Sequence, residues 1–445
     1  MKIINRREML ATFGCGFGAL ASRAMAAPAN TPAVGPHHTP KAKHVIYLFL
    51  NGGVSQVDTF DPKPMLTKYN GKALPVSNLK TERRTGNAFG SPFQFKKYGQ
   101  SGIEVSEIFS KTAEHIDDFT VIRSMHTERP NHEPSLFMLN CGHVLPGRPS
   151  MGSWLTYGLG TENRNLPGFV VMCPGVPIIG PQLWSSTFLP SEYQGVHLPS
   201  NEREIEKLVP FVRGKRTLEE QRRQLDLLGK LNKDDQGIKA METAYRMQTE
   251  APEVLDIKNK VTPQEIERYG DTDFGRGCIM ARRLVEKGVR MVQIYYGNGQ
   301  PWDNHDDIMV HKKLAGGADP AIGALMTDLK ASGLLKDTIV LIGGEFGRTP
   351  TVETSGLVPV QFGRDHNNHG FSLLMAGGGV KGGTVYGATD EFGFKAEQNP
   401  VHPHDIQATV LHLMGLDHTK LTYRYSGRDF RLTDVEGNVL RDVIA

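Results

Sequence analysis

The stretch HVIYLFLNGG, residues 44–53, decides the fold of this 445-residue chain. Its apolar run continues to Leu50 and ends in Asn51-Gly52-Gly53. A short apolar run that ends in glycines is typical of a parallel strand buried on both faces. Runs of the same type recur at residues 119–122, 169–172, 289–295, 338–342 and 371–375. The six runs predict the strands of one central sheet.

Helical patterns separate these runs. Apolar residues recur at helical spacing over residues 105–115, 135–141, 274–287, 320–332 and 404–414. Strands that alternate with helices predict an α/β fold with a mostly parallel central sheet and helices on both faces. Residues 202–250, which are rich in charged residues, are predicted to form a helical insertion. The alternating stretch 429–440, with Glu436-Gly437-Asn438 at its centre, predicts a C-terminal hairpin at the sheet edge.

The first 26 residues have the features of an export signal. Arg6-Arg7 precede an apolar, glycine-rich stretch, and Ala24-Met25-Ala26 offers a cleavage site. These features predict export by the twin-arginine (Tat) machinery to the periplasm or the exterior. The apolar stretch is too short to cross a bilayer, and no later run approaches about 18 apolar residues. The mature chain is therefore expected to lack a transmembrane segment.

The composition of the mature chain limits its partners and its organisation. The whole chain has a formal net charge of +3, and residues 1–26 carry four basic residues and one acidic residue. The mature chain is therefore neutral, which argues against a nucleic-acid partner. Its three cysteines are Cys141, Cys173 and Cys278, and an odd number argues against a disulfide framework. Residues 27–43 are predicted to form a linker, and residues 44–445 a single domain.

Polar residues follow several of the predicted strands. The first strand leads to Asn51, the 289–295 strand leads to Asp303 and His305, and the 338–342 strand leads to Glu345 and Arg348. Ligands of open α/β sheets bind at the carboxyl ends of the strands, so these residues are candidates for a site.

The segment GRDHNNHG, residues 363–370, places two imidazoles and a carboxylate just before the run at 371–375. Neutral imidazole and carboxylate groups are the usual ligands of zinc and similar ions. A loop at the entrance of a buried strand could hold His366 and His369 as ligands. The alternative is a surface loop whose polar residues only form turns.

Four blocks of sequence resemble one family, in order along the chain. The blocks are LFLNGGVSQVDTFDPKP from residue 48, WDNH from residue 302, GGEFGRTP from residue 343 and DHNNHG from residue 365. The chain is identified by them as a member of the bacterial domain of unknown function 1501 family. That family is similar in fold to the alkaline phosphatase and sulfatase superfamily, whose strand ends supply Asp and His metal ligands. The resemblance implies an alkaline phosphatase-like fold with divalent metal, which could be zinc, calcium or magnesium.

The metal ligands implied by this resemblance depart in part from the superfamily pattern. Asn51 occupies the position of the first metal-binding Asp of the superfamily. Glu345-Phe346 occupies the position where the superfamily usually has an Asp-His pair. The implied ligand set is Asn51, Asp303, His305, Glu345, His366 and His369.

The candidate nucleophile also departs from the pattern. His132-Glu133-Pro134-Ser135 resembles the sulfatase motif C-x-P-S-R, and it places His132 where sulfatases have the cysteine that matures to formylglycine. A histidine cannot mature in this way. It could attack phosphorus or sulfur, act as a general base, or bind the metal, and Ser135 is the fallback nucleophile.

Two functional hypotheses follow. The first is an exported metal-dependent hydrolase of phosphate or sulfate esters, with a small-molecule or carbohydrate ester as substrate and Arg348 pairing with the tetrahedral anion. The second is a non-catalytic relative that binds a cell-surface polymer or a partner protein. A Ser-His-Asp esterase is the weaker third reading, because no G-x-S-x-G elbow stands at a strand end.

Overall fold

The computed structural model describes residues 34–208, 217–231, 236–354 and 362–445. The predicted export signal lies outside these ranges, as do the first residues of the predicted linker and parts of the predicted insertion. Within these four ranges, no helix has the length and hydropathy needed to cross a membrane. Residues 35–42 of the predicted linker are hydrogen-bonded to the fold, for example from Gly35 N to Gly158 O and from Lys41 N to Leu413 O. This part of the predicted linker is therefore fixed.

Strands occur along the whole described chain and are numbered in chain order. They are β1 (His44–Phe49), β2 (Thr85–Ala88), β3 (Phe95–Tyr98), β4 (Ile103–Ser106), β5 (Phe119–Met125), β6 (Phe169–Cys173), β7 (Val196–Pro199), β8 (Met291–Tyr295), β9 (Thr338–Gly343), β10 (Gly347–Glu353), β11 (Arg364–Asn367), β12 (Phe371–Ala376), β13 (Thr384–Tyr386), β14 (Ala388–Thr389), β15 (Ala396–Gln398), β16 (Tyr423–Tyr425) and β17 (Arg428–Phe430).

Eight of these strands form the central sheet, in the order β13-β5-β12-β9-β1-β8-β6-β7. Every pairing in it is parallel except those of β12, which is antiparallel to β5 and β9. The six runs predicted from the sequence are the six inner strands. The edge strands β7 and β13 were not predicted, because they are short and only partly buried. The prediction of a mostly parallel α/β sheet is confirmed.

The α-helices lie between the strands. They are α1 (Pro64–Lys68), α2 (Ser110–Ala113), α3 (His132–Cys141), α4 (Met151–Leu159), α5 (Ile205–Leu208), α6 (Leu218–Leu231), α7 (Gln236–Leu255), α8 (Ile257–Lys260), α9 (Pro263–Tyr269), α10 (Asp273–Glu286), α11 (Val310–Ala331) and α12 (Pro403–Leu413). Helices α5 and α6 lie in the predicted helical insertion, residues 202–250, and α7 begins in it and ends beyond it at Leu255.

The two faces of the sheet bury separate apolar clusters. Side chains alternate along a strand, so Ile46 and Leu48 of β1 face one cluster, and Val45 and Tyr47 face the other. The first cluster contains apolar residues of α10 and α11, and the second contains those of α3, α4 and α12. Helices therefore cover both faces, as predicted.

Three predicted elements have different bounds in the structure. Residues 105–115 were predicted as one helix but include the end of β4 and the short helix α2. Helix α11 begins at Val310 and runs through Pro320, where the predicted helix began. The C-terminal hairpin consists of β16 and β17, so its turn lies at Ser426-Gly427 rather than at Glu436–Asn438, and it forms a sheet of its own.

A second, three-stranded sheet has the order β11-β10-β2 and is antiparallel. Its strand β11 contains Asp365 and His366, which were predicted to lie in a loop. The loop prediction is wrong, since the short polar strand has no apolar pattern to reveal it. This small sheet brings β11 to the carboxyl ends of β1, β8 and β9.

Candidate functional site

Four side chains meet at the carboxyl ends of the central strands. Asp303 and His305 follow β8, His132 is the first residue of α3 after β5, and His366 comes from β11. Parallel strands place their carboxyl ends at one edge of a sheet, which explains why residues so distant in sequence meet. We call His132, Asp303, His305 and His366 the central cluster.

The Nε2 atoms of the three imidazoles converge on the Asp303 carboxylate. Asp303 Oδ1 lies 2.9 Å from His305 Nε2 and 3.0 Å from His366 Nε2. Asp303 Oδ2 lies 3.3 Å from His132 Nε2. The Nε2 atoms of His305 and His366 are themselves 3.0 Å apart. Three imidazole nitrogens and both oxygens of the Asp303 carboxylate therefore lie close together.

The outer nitrogen of each imidazole is held by an acceptor. His132 Nδ1 lies 2.7 Å from Glu345 Oε1, and His305 Nδ1 is hydrogen-bonded to Glu353 Oε2. His366 Nδ1 lies 2.7 Å from the Pro130 carbonyl oxygen. An Nδ1–H that donates to an acceptor leaves the Nε2 lone pair facing inward. This is the arrangement of metal-binding histidines, whose second nitrogen donates to a carboxylate or carbonyl.

Glu345 holds the His132 imidazole in this arrangement. Its carboxylate is fully buried and accepts the Gly52 N–H, with N–O distances of 2.9 and 3.2 Å. It was predicted as a metal ligand, but in the structure it contacts the outer side of His132. Glu345 therefore fixes the orientation of the imidazole.

The electrostatics of the central cluster favour positive charge. Burial would raise the pKa of Asp303, but the three neighbouring imidazoles and the charge of Arg348 hold that pKa well below its usual range. Burial lowers the pKa of His132 and of His305, and their carboxylate partners outweigh it, so both pKa values lie above the ordinary value. Asp303 is therefore charged at neutral pH, and the cluster attracts protons or a cation.

Three residues of the central cluster, His132, Asp303 and His366, fit a divalent cation. His132 Nε2 is buried and has no aligned hydrogen-bond partner among the described residues, despite the nearby Asp303 oxygen. Ligand atoms of His132, Asp303 and His366 lie within 4.8 Å of one another. Imidazole and carboxylate are the protein ligands of zinc and related ions. An inward-facing nitrogen without a partner is the feature that a bound cation would satisfy.

A second group of potential ligands adjoins the central cluster. Ligand atoms of His305, Glu353 and Asp365 also lie within 4.8 Å of one another. Asp365 is fully buried, and its Oδ1 has no hydrogen-bond partner among the described residues. Its Oδ2 accepts hydrogen bonds from Thr81 Oγ1 and Arg83 N.

Arg348, which was predicted to pair with the substrate anion, lies in the interior of the protein. Its side chain is fully buried, and Nη2 donates to Asp303 Oδ1 at 2.7 Å. Its Nε donates to the Gly53 carbonyl at 2.8 Å, and Nη2 also contacts the Gly52 carbonyl. A guanidinium committed to these acceptors orients Asp303 and has no surface to pair with a substrate anion.

Asn51 and Ser135 are also engaged within the protein. Asn51 Nδ2 donates to the carbonyls of Gly297 and Gly299 at 2.9 and 2.6 Å, so the predicted ligand fixes the loop after β8. Ser135 Oγ donates to the Arg129 carbonyl at 2.7 Å and is fully buried. The Ser135 hydroxyl is therefore tied to the segment that precedes α3 and is not exposed.

His369 lies apart from the central cluster. Its Nε2 is 3.0 Å from the Lys80 carbonyl oxygen, and it belongs to neither group of potential ligands. The sequence did not reveal Glu82 and Glu353 as residues of the site, and Asp365 was part of the predicted motif but was not named as a ligand. Glu82 Oε2 lies 2.6 Å from His366 Nδ1. Glu82 and Glu353 follow no motif, so only the tertiary fold reveals them.

Comparisons with known proteins give the following findings. The profile of a family described as "Protein of unknown function (DUF1501)" matches residues 42–444. No curated protein matches the sequence. Several solved structures match it loosely.

The PsFucS1 sulfatase from Pseudoalteromonas sp. is 13% identical, with a TM-score of 0.36 over 84% of this chain and 68% of that chain. The phosphonate monoester hydrolase from Silicibacter pomeroyi is 13% identical, with a TM-score of 0.36 over 76% and 71% of the two chains. The alkaline phosphatase of the Antarctic bacterium TAB5 is 10% identical, with a TM-score of 0.36 over 85% and 99%. TM-scores this low transfer no residue role.

Proposed function

Because this chain belongs to the DUF1501 family, whose description assigns no function, we propose a function from its site: a metal-dependent hydrolase of phosphate or sulfate esters. The observation that carries this proposal is the convergence of three Nε2 atoms on Asp303, with every outer Nδ1 held by an acceptor. Hydrolysis is proposed because the sequence motifs resemble those of ester hydrolases with such ligands.

The proposed ligands are the four residues of the central cluster. Three imidazoles and one carboxylate favour zinc or a similar ion over magnesium and calcium, which prefer oxygen ligands. A bound divalent ion polarises ester oxygens and lowers the pKa of water. The contribution of the chain is to hold the ligands in place before binding, through Glu345 and Glu353 on the imidazoles and Arg348 on Asp303.

Access to the central cluster is from the side of Asp303. The exposed fractions of the side chains are 22% for Asp303 and 9% for His132. A substrate would therefore approach beside Asp303, with His132 at the inner wall. His132 stands at the start of α3, where the free N–H groups of the first turn favour negative charge.

The test combines metal content with turnover. Metal is quantified in the purified full chain, and hydrolysis of aryl phosphates and aryl sulfates is followed before and after chelation. The proposal expects at least one divalent ion per chain and turnover that chelation abolishes and metal restores. Full activity of the metal-free protein would contradict it.

A second candidate function is metal-dependent binding without catalysis, directed at a cell-surface polymer or a partner protein. It is favoured by the engagement of Ser135 Oγ and of the Arg348 guanidinium within the fold. Tightly bound metal with no turnover of any ester would favour this alternative. Export to the periplasm or exterior by residues 1–26 is part of both proposals, and fractionation of cells that carry Arg6→Lys, Arg7→Lys tests it.

A further inference from the structure

A loop of five residues, Lys80-Thr81-Glu82-Arg83-Arg84, lies against the site immediately before β2. We call it the basic loop, because three of its five side chains are cationic. Its contacts with β10, β11 and the following turn are Lys80 O to His369 Nε2 (3.0 Å), Thr81 Oγ1 to Asp365 Oδ2 (2.6 Å), Glu82 Oε2 to His366 Nδ1 (2.6 Å), Arg83 N to Asp365 Oδ2 (2.7 Å) and Arg83 Nη1 to Glu353 Oε1 (3.0 Å). These contacts fix the loop relative to His366.

Arg83 is the residue of this loop that matters for an anionic ligand. Its side chain is 43% exposed, whereas that of Arg348 is fully buried. The Glu353 carboxylate that accepts from Arg83 Nη1 also holds His305 Nδ1. The guanidinium is therefore two hydrogen bonds away from an imidazole that faces Asp303. A guanidinium has five N–H donors. Within the described residues Arg83 donates a guanidinium hydrogen bond to Glu353. Burial would lower the pKa of Arg83, but this bond and the nearby charges of Glu82 and Asp365 raise it.

We propose that Arg83 binds the anionic group of the substrate and so selects tetrahedral oxyanion esters over neutral esters. This inference rests on the proposed function and supplies the anion contact that Arg348 cannot make. The planar guanidinium matches two oxygens of a phosphate or sulfate group. Lys80 and Arg84 are exposed neighbours that add positive potential and attract anions to the basic loop.

The test measures anion binding apart from turnover. Inorganic phosphate and inorganic sulfate are titrated calorimetrically into the metal-loaded full chain. Arg83→Gln is compared with Arg84→Gln. The control removes the same charge from the neighbouring residue, whose side chain does not contact the central cluster. We expect Arg83→Gln to weaken anion binding by about tenfold or more, the value of one charge-assisted hydrogen bond. Arg84→Gln should change it by less than about twofold at physiological salt.

Metal content and the variant Arg83→Lys complete the experiment. Unchanged metal content in Arg83→Gln with partial recovery in Arg83→Lys supports the inference. Equal anion affinities of the two glutamine variants overturn it, as does an absence of anion binding in the wild type. Loss of metal in Arg83→Gln also overturns it, because Arg83 would then act through Glu353 on His305. If anion binding depends on Arg83 while no ester is hydrolysed, the hydrolase proposal fails and the anion contact stands.

Discussion

His305 and His366 place their Nε2 atoms 3.0 Å apart, and both atoms face the same oxygen of Asp303. Two imidazole nitrogens this close are favourable only with a proton or a cation between them or beside them. The outer nitrogens are held by Glu353 and by the Pro130 carbonyl. The pair is therefore oriented as metal ligands are.

The first prediction separates His366 from His369, which stand three residues apart. His366→Ala removes one inward-facing nitrogen, and we expect metal affinity to fall by more than about a hundredfold. This loss exceeds the one expected when a residue that only hydrogen-bonds to a metal ligand is removed. The matched control is His369→Ala, whose imidazole contacts the Lys80 carbonyl, and this variant should retain its metal. Competition with a coloured chelator measures both affinities. Equal loss in the two variants would show that His369 is a ligand after all.

The second prediction concerns the close approach of backbone at Gly52. Its φ is 118°, and a Cβ at this position would lie 2.5 Å from Asp303 N and 2.7 Å from Trp302 N. Gly52→Ala should displace Asp303 and weaken metal binding by about tenfold or more. Gly102→Ala is the control, since its φ is also positive but nothing lies within 4 Å of the added Cβ. Calorimetric titration with zinc compares the two, and a Gly52→Ala protein that binds zinc like the wild type refutes the prediction.

The third prediction concerns the buried ion pair of Asp58 and Arg364, both of which are fully buried. Arg364→Met leaves the Asp58 carboxylate buried without its partner, so the free energy of unfolding should fall by about 3–5 kcal/mol. Arg203→Met breaks the exposed pair with Asp271 and should cost less than about 1 kcal/mol. Urea unfolding measures both variants. Similar losses of unfolding free energy in the two variants would mean that burial does not make the Asp58–Arg364 pair more important for stability than an exposed pair.

The fourth prediction concerns His311, which is fully buried in α11. Its Nε2 accepts the Ser55 N–H at 3.1 Å, and its Nδ1 lies 2.9 Å from Asn304 Oδ1. Burial lowers the pKa of His311 from 6.5 to about 3. Since the unfolded chain binds this proton first, the stability contribution is complete above pH 6.5 and is lost as pH falls from 6.5 toward 3.

The measurement is urea unfolding between pH 7.5 and pH 5 for the wild type and His311→Gln. Below pH 6.5 the wild type should lose up to about 1.4 kcal/mol per pH unit through this group. The variant should be less stable at pH 7.5 but show a smaller pH slope. Identical slopes would contradict the assignment of His311 as a buried neutral imidazole.

Much of the sheet could be predicted from the sequence, because inner parallel strands need continuous apolar runs. The runs that contain Val45 and Ile339 are examples, and both belong to inner strands. The edge strand that contains Val385 was missed because its side chains are partly exposed and its run is short. Pro320 misled the helix prediction, since proline favours a helix start but here lies inside a helix.

The site was predicted in part, for a reason that lies in strand geometry. Asp303 and His305 follow an inner strand, so the position of that strand located them. Asp365 and His366 are neighbours in β11, and neighbouring strand side chains point to opposite faces. The Asp365 carboxylate is hydrogen-bonded to the basic loop, whereas His366 reaches the central cluster with Nε2 and contacts Glu82 of the loop with Nδ1, although the sequence presents the two residues as one motif. Partners such as Glu353 come from other strands, and only the packed fold brings them together.

The measurement that tests the central claim most directly is anomalous diffraction at the zinc edge from crystals of the purified full chain. We predict one strong peak in the volume enclosed by Asp303 and the Nε2 atoms of His132, His305 and His366. The peak should disappear in crystals of Asp303→Asn. An anomalous map without a peak there, or with a peak at His369 or Asn51 instead, would contradict the account.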